Sequence, residues 1–381
     1  LSSTARAPPF WCISTEAFRS RVHWILLESR MDKFRHLIAA ALTLAVMQAH
    51  AQDNQAIIEQ NGEEHQATVT QSGSGNYGEI SQVGGWLNTA TIEQTGDQNR
   101  AITDQGEWGN VAETIQEGNG NEAIIDHGGG FTASVSQIGD LNQAFVTQNY
   151  RGSEVEIVQL GDQHLADIYQ DGLGHYALTQ QEGVNNSVTI EQGEYYADSR
   201  AMVDQSGNDH VAAVYQPTGG YNEAGIYQTG SMHTAEITQQ AGDLLSGDHV
   251  AVIQQDGTGH VAQVSQRDPW FSGGNTANIF QLGDEHSATI TQEGELVTTI
   301  INQQGSLNTA SSYQSGQSNM ALIGQNGDRN LAEVTQTGWG AEATITQAGS
   351  DHQAFITQSM SGGLATITQL GAANLATITQ Q

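Results

Sequence analysis

After Lys33 the 381-residue chain contains no lysine, and after Cys12 it contains no cysteine. From Gln52 onward it holds 5 arginines against 39 acidic residues. Nucleic-acid binding needs clustered Lys and Arg for phosphate contacts, and this balance excludes it. A cysteine-free stretch has no disulfide framework, no thiolate nucleophile and no Cys-type zinc site. Aromatics are 6% of the chain and the mean hydropathy is −0.40, so an ordinary globular core of this length is undersupplied. Composition of this kind borders on disorder. The order of the residues argues for a fold.

Glycine is absent from residues 1–51, although 44 follow. Met31 opens a segment that reads as a secretory signal. Lys33, Arg35 and His36 form a basic region, residues 37–46 an apolar run, and Ala49-His50-Ala51 a small-x-small cleavage site before Gln52. The apolar run is too short to cross a bilayer of roughly 30 Å as a helix. Residues 1–30 read as upstream translation without structure, 31–51 as the signal peptide and 52–381 as the mature repeat domain. No integral membrane segment is expected in the mature chain.

From Gln60 to Gln380 a glutamine (once His127) recurs at 29 positions, and 22 of the 28 intervals are eleven residues long. Counting units from Gln60, all 14 even units carry Gly two places after the Gln and Asn or His five places after it. Gln94-Thr-Gly96-Asp-Gln-Asn99 is an example. Odd units keep that Gly in 7 of 14, and all six irregular lengths fall among them. The true repeat is therefore about 22 residues, one strict half and one permissive half. In Asn374-Leu-Ala376-Thr-Ile378-Thr-Gln380 the named residues alternate onto one face, the signature of a half-buried strand. Two strands and two Gly-containing arcs make one coil. The chain is expected to be an all-β solenoid of about fourteen two-stranded coils, stacked parallel and in register.

The inward set is Ala and Ile or Val between Gln at one end of the strand and Asn or His at the other. A buried bare amide costs roughly 1–3 kcal/mol. Identical amides stacked coil on coil satisfy one another. The ladder candidates are Gln71, Asn76, Gln94, Asn99, Gln116, Asn121, Gln137, Asn142, Gln336, Gln347, Gln369, Asn374 and Gln380, expected to form unbroken ladders. The end strands, with Asn54, Ala56, Ile58 and Gln60 at one end and Ala376 and Ile378 at the other, keep the strict pattern and carry no cap. Open self-complementary edges are polymerisation surfaces.

Gln-x-Gly-x-x-Asn-x-Ala-x-x-x-Gln resembles the curlin repeat of curli fibre subunits, secreted bacterial functional amyloids, over essentially all of 52–381. The resemblance implies end-to-end stacking of the solenoid into cross-β fibres of the biofilm matrix. It implies as partners further copies of the chain, a nucleator curlin, an outer-membrane secretion pore and periplasmic chaperones. It also implies an extracellular location. This chain has more repeats than the familiar major subunits. Its repeat begins almost directly after Ala51, where they carry a targeting segment. A minor or nucleating subunit is the alternative within the family.

Other signals follow the repeat. Nine of the ten histidines after residue 52 take the Asn place, and His127 takes a ladder Gln place. They read as ladder members, not a chelate. No cofactor, metal or catalytic residue is expected, because the acidic residues scatter over outward and arc positions without converging on a base or nucleophile. Thr68/Thr70, Thr289/Thr291, Thr344/Thr346, Thr366/Thr368 and Thr377/Thr379 resemble the Thr arrays of ice-binding solenoids, a reading from a different class; a monomeric adhesin rod is another. Trp86, Trp108, Trp270 and Trp339 read as isolated arc aromatics, and residues 267–274 as a variable arc open to deletion. His210, His233, His260 and His286 fall in consecutive coils, and charging near an unperturbed pKa of about 6.5 is expected to loosen them by pH 5.5.

Overall fold

A computed structural model describes residues 53–381 apart from 195–197, 219, 241–247 and 269–272. The secretory-signal reading, with Ala51 and Gln52, lies outside the described residues, as does Trp270. The described chain is all β, with 29 strands and no helix. Strands alternate between two parallel sheets, sheet 1 with 15 strands from Gln55–Glu63 to Leu375–Gln380 and sheet 2 with 14 from Gln66–Ser72 to Leu364–Ala372. Each strand pairs with the next but one in sequence, which is the topology of a β-solenoid of about fourteen coils.

The register repeats the sequence unit. Ala101 pairs with Ala123 in sheet 1, and Gln94 with Gln116 in sheet 2. Strand burial alternates as the period-two pattern requires, as in Arg100–Gln105, where positions 101, 103 and 105 are buried. One core runs the length of the solenoid, built from Ala and Ile or Val of both sheets. Each buried Ile or Val contributes about 1.5–3 kcal/mol, so the thin core gains its stability by repetition.

The 14 arcs leading from sheet 2 into sheet 1 are alike, and their glycine is a packing requirement. A Cβ on Gly96 would lie 2.0 Å from the Gly118 oxygen of the next coil, and one on Gly118 would lie 2.0 Å from the Gly139 oxygen. Arcs from sheet 1 into sheet 2 vary in length, yet the strands beyond them stay in register, as Thr234–Gln240 does with Val261–Arg267.

Candidate assembly interface: the amide ladders

At the end of every strand the glutamine turns into the core. In sheet 2 the amides form one continuous chain from Gln71 to Gln369. Gln71 Nε2 donates to Gln94 Oε1 at 2.8 Å, Gln94 to Gln116 at 2.8 Å, Gln116 to Gln137 at 2.8 Å and Gln347 to Gln369 at 2.9 Å. Each amide also donates across the core to the start of a strand in the other sheet, as Gln94 Nε2 does to Tyr77 O at 3.0 Å. The two amide hydrogens and the acceptor are thereby used, and the desolvation cost is offset. In every amide-to-amide bond the donor points toward the higher residue number, so the ladder has a direction.

The sheet 1 ladder includes Gln60, Gln336 and Gln380. Gln60 donates to Gln82 at 2.7 Å, Gln336 to Gln358 at 2.9 Å and Gln358 to Gln380 at 2.8 Å. Contrary to the expectation from sequence, this ladder is broken. At His127 both ring nitrogens and the neighbouring Gln148 Oε1 are buried without a hydrogen-bond partner. An imidazole is too short and too rigid to span both neighbouring coils as an amide does. The tilted ring of Phe131 lies beside it, centroid to centroid 5.9 Å. Burial pushes His127 down to about 3, against a smaller upward pull from the Gln148 amide that falls short of a bond.

At the other end of the sheet 1 strands stands the Asn/His column. Asn76 Oδ1 accepts from Asn99 N at 2.9 Å while Asn76 Nδ2 donates to Gly96 O at 2.7 Å. Asn99 and Asn121 repeat this, their Oδ1 atoms accepting from the Asn121 and Asn142 backbones at 3.0 and 2.9 Å, and Asn142 accepts from His164 N at 2.9 Å. The Asn374 backbone N–H donates to His352 Nδ1 at 3.2 Å. Histidine reproduces the arrangement. His233 Nδ1 accepts from His260 N at 3.1 Å, and His233 Nε2 lies 2.9 Å from Thr229 O. A backbone N–H facing Nδ1 fixes the neutral tautomer protonated at Nε2.

His210, His233, His260 and His286 stack at 4.8–4.9 Å with ring planes within 8°. Burial first, then the neighbouring imidazoles, lowers His260 to about 4, and the same causes bring His210 to about 4. Burial also lowers His233 and His286. The expected charging near pH 6.5 inside the fold is therefore overturned: protonation would turn the Nδ1 acceptor into a donor aimed at an N–H.

A second column lies in the variable arcs, where the sequence marked only His65, His175 and His249 as ladder members. Asn88 Oδ1 accepts from Asn110 N, and Asn275 Oδ1 accepts from Val297 N, both at 3.0 Å. Phe131, Val297 and Ala341 interrupt it and are buried all the same. The only signal was that Asn or His recurs there irregularly.

The end strands carry the same groups. Asn54 Oδ1 accepts from Asn76 N at 2.9 Å. Ala56, Ala376 and Ile378 are partly buried against the core, and Ile58 is 37% exposed. Two outward readings change. Trp86 and Trp108 stack at 6.3 Å and the Arg151 guanidinium lies 4.3 Å over Trp108, so these aromatics are not isolated. Asp268 is fully buried, so the 267–274 arc is not wholly free to be deleted. The Thr pairs divide between the two sheets, with Thr68 and Thr344 in sheet 2 and Thr289 in sheet 1, and make no single array.

The curlin associated repeat matches the chain at residues 51–84, 218–240 and 327–359. A comparison with curated proteins finds no match.

Proposed function

We propose that this curlin-repeat protein is a secreted structural subunit that assembles end to end into extracellular curli-like amyloid fibres, giving a biofilm matrix cohesion and surface attachment. The observation that carries the reading is the directional ladder of sheet 2. Every coil presents amide donors on one side and amide acceptors on the other, so each coil is a template for the next. A donor edge meets an acceptor edge only head to tail, and a heterologous contact of that kind propagates as a filament. The in-register parallel strands already have the spacing of cross-β, about 4.8 Å. The repeat supports a structural role over a catalytic one. A nucleator curlin, an outer-membrane pore and periplasmic chaperones are proposed as partners on the family resemblance.

The test is to release residues 52–381 from denaturant and follow thioflavin fluorescence, with and without preformed fibre fragments. Unbranched fibres whose growth is accelerated by the fragments are expected. A soluble monomer at high concentration, indifferent to fragments, sinks the proposal.

A further inference from the structure

The outer face of sheet 2 departs from the charge pattern of the chain. Across the four strands Val250–Thr258, Thr276–Asp284, Thr298–Ser306 and Met320–Asp328, the outward positions before each ladder Gln hold no charged residue. They carry Val252, Phe280, Ile300, Met320 and Leu322 among amides and threonines, on a chain of net charge −31. Along one edge of this patch runs an open groove of about 530 Å³ lined by Gln254, Phe280, Asn302 and Gly324.

The relief of the groove is self-complementary. Phe280, Asn302 and Gly324 are consecutive members of one column, since Phe280 pairs with Asn302 and Asn302 with Gly324. Phe280 is a knob, 37% exposed. Gly324 is a dip, where an added Cβ would meet nothing closer than the Ile345 oxygen at 4.0 Å. The other outward glycine of this face, Gly225, is already covered by the Tyr227 ring, 3.0 Å from where its Cβ would be.

We infer that this face docks on the same face of a second copy of the chain, side by side and antiparallel, about a two-fold axis parallel to the strands at Asn302. That axis sets Phe280 of each copy opposite Gly324 of the other and Asn302 opposite Asn302. It also resolves the charge problem of lateral contact. Over seven strand levels the positions before each ladder Gln hold two acids, Glu223 and Glu342, and Asp256 adds a third at the lip of the groove. The axis places Glu223, Glu342 and Asp256 against Leu364, Val250 and Ala348 of the other copy, so within the groove and the positions before each ladder Gln no acid opposes an acid. Seven strands of six residues cover roughly 34 by 20 Å, about 1,300 Å² counted over both copies, the size of a stable interface. The contact is isologous, recurs once per copy along a filament, and so gains by multivalency.

The test is a knob-and-dip exchange in residues 52–381. Phe280→Gly and Gly324→Phe should each weaken lateral pairing by at least about tenfold, since the first removes the knob and the second sets a ring against Phe280 of the other copy. The double variant should regain paired filaments in electron micrographs, because the knob and the dip have only changed places. Thioflavin growth rates should be the same in all four proteins. Single filaments in the wild type, pairing unaffected in the single variants, or no recovery in the double variant overturns the inference. Sedimentation of unassembled rods keeps this separate from end-to-end growth: rods that pair without growing overturn only the fibre proposal, and filaments that grow without pairing overturn only this one.

Discussion

Replacing His127 with glutamine should repair the fault in the sheet 1 ladder. Two amide bonds become possible, from Gln105 to position 127 and from there to Gln148, whose Oε1 is now buried without a partner. Two net hydrogen bonds and one relieved acceptor together amount to about 2–3 kcal/mol at neutral pH. The effect should grow in acid, and the sign follows from linkage. The folded-state pKa of His127, about 3, lies below the unfolded value of 6.5. Between those values the unfolded chain binds the proton and the folded chain does not. Stability is then complete above pH 6.5 and falls as the pH drops toward 3, by about 1.4 kcal/mol per unit. At pH 5 the variant should therefore gain a further ~2 kcal/mol over the native chain. Repeat arrays do not unfold in one step, so the assay is local. Hydrogen exchange should be compared at 122–148 and 331–358 in the same molecule, at pH 7.5 and pH 5. Greater protection confined to the first segment is expected. Equal or lower protection there at both pH values refutes the ladder argument.

Replacing His210, His233, His260 and His286 together by asparagine should leave stability at pH 7.5 near native and remove the loss that the native coils suffer as pH falls from 6.5 toward 4, read by exchange over 205–292. Gly118→Ala puts a methyl 2.0 Å from a backbone oxygen, whereas Gly109→Ala meets nothing within 4 Å; hydrogen exchange in the coil that carries each substitution should show a loss of at least about 3 kcal/mol for the first and about 1 kcal/mol for the second. Gln336→Ala removes the acceptor of one Gln314 amide hydrogen and the donor to Gln358 Oε1, and should destabilise by about 2–4 kcal/mol and slow assembly, read by thioflavin kinetics. Assembly should speed up between 0.01 and 0.1 M salt, where the screening length falls from about 30 to 10 Å, and a rate independent of salt would count against charge control.

The solenoid was legible because its constraint is one-dimensional. Each Gln marks a strand end, and Gly96 and its equivalents mark the arc where only a hydrogen fits. The split into strict and permissive halves foreshadowed one uniform set of arcs and one variable set. Hydrogen-bond roles were not legible. The sequence places His233 at an Asn position, but only the 3.1 Å contact from the His260 amide shows that its Nδ1 must stay unprotonated. The break at His127 was hidden for the same reason: histidine serves at an Asn position, where it accepts one bond and donates one, and fails at a Gln position, where the side chain must reach two coils. Phe280 and Gly324 are 44 residues apart, and their shared column appears only once the register is known.

Mass per length of single filaments, measured by dark-field electron microscopy on residues 52–381, tests the central claim most directly. A subunit of about fourteen coils at about 4.8 Å each occupies close to 70 Å of filament, so the account predicts one chain per roughly 70 Å. One chain per roughly 4.8 Å, the value for flat chains stacked strand on strand, would contradict it.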